Sequence, residues 1–100
     1  MTTIRISATV PRAIPLNWFQ DDGVTPLDCS TFTCEVLRTA MRAALTIEPV
    51  NRAAGQFQFA ALPQSQLARL RVGAGYSTHV VLRNSAGDPV DEFRCVFEAV

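Results

Sequence analysis

The sequence predicts an all-β chain, an immunoglobulin-like antiparallel β-sandwich of about seven strands with one short helical turn. Two patterns predict it: apolar and polar residues alternate with period two in one segment after another, and Gly, Pro and Asp punctuate the chain between those segments. Size supplies the third. One hundred residues, 48% hydrophobic and 18% charged, suit one core and leave no room for a second, so residues 1–100 are read as a single domain. Folding a chain of this length removes roughly 65% of its accessible surface, enough for a core without metals or bridges.

Along Thr3 to Thr9, Ile4, Ile6 and Ala8 share one face and Arg5, Ser7 and Thr9 the other, the mark of a half-buried strand. Pro11 ends it. Ile14, Leu16 and Trp18 resume the alternation up to Gln20, and Asp21-Asp22-Gly23 supplies turn chemistry. Phe32, Cys34 and Val36 share the face of a third strand. In the same stretch Val36, Leu37, Ala40, Met41, Ala44 and Leu45 also fit the spacing of an amphipathic helix, so pattern alone leaves residues 31–45 open between strand and helix.

Strand pattern returns with Leu45 and Ile47 inward, closed by Pro49. Gly55 to Ala61 alternates Gln56 and Gln58 against Phe57, Phe59 and Ala61. Pro63, Ser65, Leu67 and Leu70 suggest one helical turn crossing an end of the sandwich. Gly73-Ala74-Gly75 breaks the chain before a strand from Tyr76 to Arg83 with Tyr76, Thr78, Val80 and Leu82 on one side. Residues Asn84 to Asp88 form a hairpin loop, and Glu92 to Val100 directs Phe93, Cys95, Phe97 and Ala99 inward.

The formal charge is zero, and the halves nearly balance: residues 1–50 hold four arginines and five carboxylates, residues 51–100 five and four. No polyanion-binding face is advertised, so a nucleic-acid partner is not expected. All nine basic residues are arginine, which suits interfaces but also follows from a GC-rich coding sequence. The start, Met1-Thr-Thr-Ile-Arg5, carries no signal-peptide pattern, and no stretch approaches the ~20 apolar residues of a membrane span, so a soluble product made in a cytoplasm and no membrane partner are expected. Cys29, Cys34 and Cys95, an odd number, are read as buried, reduced thiols, with one bridge as the alternative.

Candidate sites are few. The lone His79 lies opposite Val80 and Leu82, facing solvent or a partner, with no nucleophile or second base in its pattern. Zinc would need the three cysteines and His79, but no Cys-x2-Cys pair exists. Asp21, Asp22, Asp28, Asp88 and Asp91 could gather at one end of the sandwich and offer oxygen ligands to calcium, but their spacing matches no calcium loop and acidic turn residues explain themselves. Gly73-x-Gly75 precedes a strand, not the helix that phosphate binding needs. Leu70, Gly73 and Tyr76 resemble the tyrosine corner of immunoglobulin-like sandwiches, one residue long. Trp18 falls in register with the core, whereas Phe19, beside Asn17 on the other face, is the candidate exposed anchor. No catalytic, cofactor-binding or metal-binding residue is assigned, no cofactor is expected, and the chain is not expected to be an enzyme.

Asp22-Gly23-x-x-Pro26-Leu27-Asp28 leads into a strand ending near Val36-Leu37-Arg38. Ala44-Leu45-Thr46-Ile47, the Leu67 to Leu70 turn, Gly75-Tyr76 and the hairpin with Gly87 follow in order. This order resembles a family of small phage virion domains, of which the N-terminal domain of siphophage upper baseplate proteins is the named example, over about Ile14 to Val100. Such domains continue after the aspartate with a Leu-Thr-Gly type segment, where this chain has Cys29-Ser30-Thr31, and carry Gly before the last strand, where it has Glu92. The resemblance implies a bacteriophage virion structural protein, an adaptor in a tail, baseplate, fibre attachment or capsid. It favours strand over helix for Thr31 to Arg38 and implies no catalytic residues. Repeated copies would meet through sheet edges and loops, the partners being other virion proteins and further copies of itself, and the location the virion. The alternative is an immunoglobulin-like surface module that binds carbohydrate or protein.

Overall fold

The computed structural model describes residues 2–100. Seven strands form two facing sheets: β1 (Thr2–Ile6), β2 (Ile14–Asn17), β3 (Thr33–Thr39), β4 (Ile47–Asn51), β5 (Gln56–Phe59), β6 (Gly75–Arg83) and β7 (Pro89–Ala99). A 3-10 turn at Arg52–Ala54 and one short helix, α1 (Gln64–Leu67), complete the elements. The larger sheet runs β1-β7-β6-β3 and the smaller β2-β5-β4. β2, β5 and β4 thus take the places of strands B, E and D of an immunoglobulin-like sandwich, and β3, β6 and β7 those of C, F and G.

Most inward residues are those the alternation selected, but Ala61, beyond the end of β5, is exposed, and Val81, on the opposite phase, is buried. Ile6, Leu16, Trp18, Phe57, Phe59, Val80, Leu82, Cys95, Phe97 and Ala99 are buried, and Leu67 from α1 closes one end beneath them. Phe59 and Phe97 join the sheets across the middle, ring edge to ring face, with centroids 5.1 Å apart at 89°. That geometry sets the positive ring edge against the negative face.

The structure refines one expectation, decides one open alternative and corrects a third reading. First, the sandwich is not wholly antiparallel: β1 pairs parallel with β7, Ile4 opposite Phe97 and Ile6 opposite Ala99. Alternation reports which way side chains point, not which way a strand runs. Second, residues 31–45, open on pattern between strand and helix and favoured as strand over Thr31 to Arg38 by the resemblance, form no helix. β3 pairs with β6 from Thr33 opposite Arg83 to Thr39 opposite Thr78, with a bulge between Val36 and Arg38 that leaves Leu37 exposed. Met41 and Leu45 are buried from the following loop, so core burial met by that loop explains the helix-like spacing. Third, Pro49 does not close a strand but lies inside β4, opposite Phe57. β4 is an edge strand, where the missing N–H of proline costs no ladder bond.

Strand boundaries also shift. β1 ends at Ile6, and the strand placed from Leu45 begins at Ile47. The last strand starts earlier than expected, at Pro89.

All four sheet edges are blunted. β2 carries Pro15, β4 carries Pro49, β3 is bulged, and β1 is five residues long with Arg5 exposed. These are the devices by which sheets avoid pairing with other chains.

The tyrosine corner is present. The Arg71 N–H donates to the Tyr76 hydroxyl at 2.9 Å, tying the β5–β6 connection to the start of β6. Tyr76→Phe removes that acceptor and is expected to lower stability by about 0.5–1.5 kcal/mol in urea unfolding. An unchanged midpoint would show that water replaces the hydroxyl at no cost.

Candidate functional site

Strand direction sends alternate connections to opposite ends of the molecule. At one end lie the β2–β3, β4–β5 and β6–β7 connections; at the other lie β1–β2, β3–β4 and β5–β6. An open concavity lies at the first end.

It is built outward from β2. Period two continues past Asn17, so Trp18 turns into the core and Phe19 turns out, 45% exposed. Phe19 bridges Pro26 as a short antiparallel pair. The Gln20 N–H donates to Thr25 O at 2.8 Å, and the Gly23 N–H to Gln20 O at 2.9 Å, closing a small arm. Gly23 sits at φ +73°, in the left-handed region that the turn demands. The Asp22 carboxylate accepts from the Val24 and Thr25 amides, both at 2.9 Å. The Thr25 hydroxyl, with those two amides, holds the Asp22 carboxyl below its ordinary range. Hydrogen bonds from Ser30 do the same for Asp28.

The base of the arm is locked where three segments meet. The Trp18 N–H donates to Gly55 O at 2.9 Å, and the Leu27 N–H donates to Trp18 O at 3.0 Å. A guanidinium N–H of Arg52 donates to the Phe32 carbonyl, so this cation is spent inside the fold.

Between the arm and the β6–β7 hairpin runs an open groove of about 490 Å³. Its apolar wall is Phe19, Leu27, Phe32 and Val90, and Asp21, Asp22 and Asp91 stand on its rim. The two Pro-x-Asp turns of the sequence, Pro26-Leu27-Asp28 and Pro89-Val90-Asp91, thereby meet across one depression. Phe19 was legible as an exposed anchor. Its companions Phe32 and Val90 were not, because the hairpin that brings Val90 here is distant in sequence.

The opposite end has reverse charge. Arg42, Arg69 and Arg71 converge with Tyr76 on a depression of about 410 Å³ that no carboxylate lines. Arg12, on the β1–β2 connection, belongs to the same end. The turn positions of the aspartates allowed for their gathering at one end, whereas the balance of charge within each half of the chain concealed the arginine cluster at the other.

The other candidates are placed as follows. His79 is half-buried on the outer face of the larger sheet, its Nε2 3.2 Å from Glu92 Oε2, and does not stand free in solvent. Among the described residues, no three His, Cys, Asp or Glu side chains group as metal ligands. No described helix is long and apolar enough to cross a membrane. All three cysteines are free, with Cys29 and Cys95 fully buried and Cys34 half-buried. Burial pushes the Cys34 and Cys95 thiols up to about 11 and raises Cys29 too. At pH 8 a thiol at 11 is ionised in about one molecule in a thousand, so the native chain is expected to resist thiol reagents and to label three times once unfolded. Rapid native labelling, counted by intact mass, would contradict the packing.

Comparison of the chain with protein-family models, curated proteins and solved structures returned no match.

Proposed function

We propose that the chain is a structural adaptor of a bacteriophage virion, acting in several copies through protein–protein contacts. The observation that carries the reading is the Phe19 groove, where an exposed aromatic anchor, an apolar wall and an acidic rim sit together on loops of a rigid sandwich. Aromatic anchors surrounded by polar rims are the usual centres of protein interfaces. The order of turn and strand signals, similar to that of small phage virion domains, supplies the context.

The direct test is the protein composition of particles purified from cells that carry the coding sequence. The chain is expected in intact particles at a fixed copy number relative to the major structural proteins. Recovery only in the free protein fraction overturns the reading. A Phe19→Asp variant is expected to keep its fold, because the ring is exposed, and to be incorporated at least about 30-fold less efficiently, the loss typical of a central anchor.

One observation favours a second reading, a surface module that binds carbohydrate or protein. The groove lies at the end carrying the β2–β3 and β6–β7 connections, where immunoglobulin variable domains place two of their binding loops. Glycan-array binding by a chain that is absent from particles would establish that reading in place of the first.

A further inference from the structure

The two ends of this molecule fit each other. All five aspartates of the chain, Asp21, Asp22, Asp28, Asp88 and Asp91, lie at the Phe19 end, and Arg12, Arg42, Arg69 and Arg71 lie at the other. Arg52 and Arg83 at the Phe19 end and Glu48 and Glu98 at the other offset these charges only in part. Among the described residues the ion pairs join only Glu35 to Arg83 and Glu92 to His79 and Arg94, so none of those five aspartates and four arginines is paired within the chain. A chain of zero net charge is therefore a dipole along its strands.

We propose that copies of the chain stack head to tail, the arginine-rich end of one seated in the acidic Phe19 groove of the next. This deepens the adaptor reading and rests on it. Three features favour a second copy as the occupant. Charge and chemistry are complementary: Asp21 and Asp91 offer carboxylates to guanidinium forks, Asp22 adds its charge, and the Phe19 and Phe32 rings offer faces on which a guanidinium stacks. The sheet edges, the other route to self-association, are blunted by Pro15, Pro49, the β3 bulge and the shortness of β1. The shape fits as well, because the long dimension of 36 Å matches the 11 residues of β7 and leaves the two charged ends as the small faces.

Those faces limit the strength of the contact. A cross-section of 24 × 22 Å offers roughly 530 Å² per partner, so about 1,000 Å² in all, the low end for specific interfaces. Stacking is thus weak between two free copies, dependent on concentration and salt, and strengthened in a particle that holds many copies in line. A head-to-tail contact closes into a ring or extends as a filament; it does not stop at a dimer.

Sedimentation of the full chain tests this. At high concentration and about 0.1 M salt, where charges act over about 10 Å, species larger than the monomer are expected; near 1 M salt, with screening at about 3 Å, they dissociate. Arg42→Glu/Arg69→Glu/Arg71→Glu and Asp21→Arg/Asp91→Arg are each expected to be monomeric alone. Mixed, they should associate again, since the native groove of one meets the native arginine end of the other and the two reversed ends are themselves complementary in charge. If either variant unfolds by circular dichroism, its Gln or Asn counterpart replaces it, with association weakened at least about tenfold expected. A wild-type chain that stays monomeric at low salt overturns the stacking, as does association that ignores salt and both variants, or a mixture that does not associate. A monomeric chain found in particles overturns stacking and leaves the adaptor reading standing. Absence from particles overturns the adaptor reading whatever the sedimentation result.

Discussion

Phe97→Ala is expected to lower the unfolding free energy by about 3–5 kcal/mol, the largest effect of any single side-chain truncation proposed here. Phe97 has no exposure, Phe59 opposite it has 1%, and their edge-to-face contact is the main aromatic link between the two sheets. Truncation removes a ring and leaves a cavity between two hydrogen-bonded sheets that cannot close in without breaking register. A domain of this size has roughly 5–15 kcal/mol in total, so the variant sits near the edge of folding, with its melting temperature lowered on the order of 20 °C. Urea unfolding reads the loss, with a shifted midpoint and an unchanged slope. A cycle with Phe59→Ala is expected to show coupling of about 0.5–1.5 kcal/mol from the ring–ring geometry. A loss below about 1 kcal/mol would place Phe97 outside a well-packed core.

Gly55→Ala carries the second large effect, by a different cause. Gly55 has φ +67°, and a Cβ there would stand 2.6 Å from the Trp18 carbonyl oxygen and 2.7 Å from that of Leu27. Both obstacles are backbone, fixed by the hydrogen bonds that join Trp18 to Gly55 and Leu27 to Trp18. A left-handed conformation costs an L-residue about 1–2 kcal/mol and overpacking about 1–3 more, so a loss of about 2–5 kcal/mol is expected. Gly23→Ala is the control. Gly23 has φ +73° with open space around it, so only the conformational cost of about 1–2 kcal/mol should remain. Near-equal losses at the two positions would remove the steric argument. Because the Gly55 contact anchors the arm that bears Phe19, the variant is also expected to change the fluorescence of Trp18, the sole tryptophan, in its folded state.

These two positions differ in how far the sequence announced them. Phe97 alternates with Cys95 and Ala99 in a clear period-two run, and a buried ring follows from that pattern alone. Gly55 reads as the start of a strand. Its role comes from two chain segments, at Trp18 and Leu27, that approach it only after the sheets have faced each other. The candidate site divides in the same way. Phe19 was legible because the phase that buries Trp18 must expose its neighbour, and Asp21 and Asp22 follow it on the same arm, whereas Val90 and Asp91 reach the groove on a hairpin far along the chain.

By itself the sequence determined the all-β class, the seven strand segments nearly in place, most of the inward residues and the tyrosine corner. Each of these follows from local chemistry, in alternation, turn residues or short loop spacing. The tertiary structure alone decided that β1 runs parallel to β7, that residues 31–45 hold a bulged strand and a loop, and that Arg42, Arg69 and Arg71 cluster at the end opposite the aspartates. Strand direction and pairing arise between segments distant in sequence, and they assign each loop to an end. Counting charge along the chain averages over both ends and returns zero, although the folded molecule holds its aspartates at one end and an arginine cluster at the other.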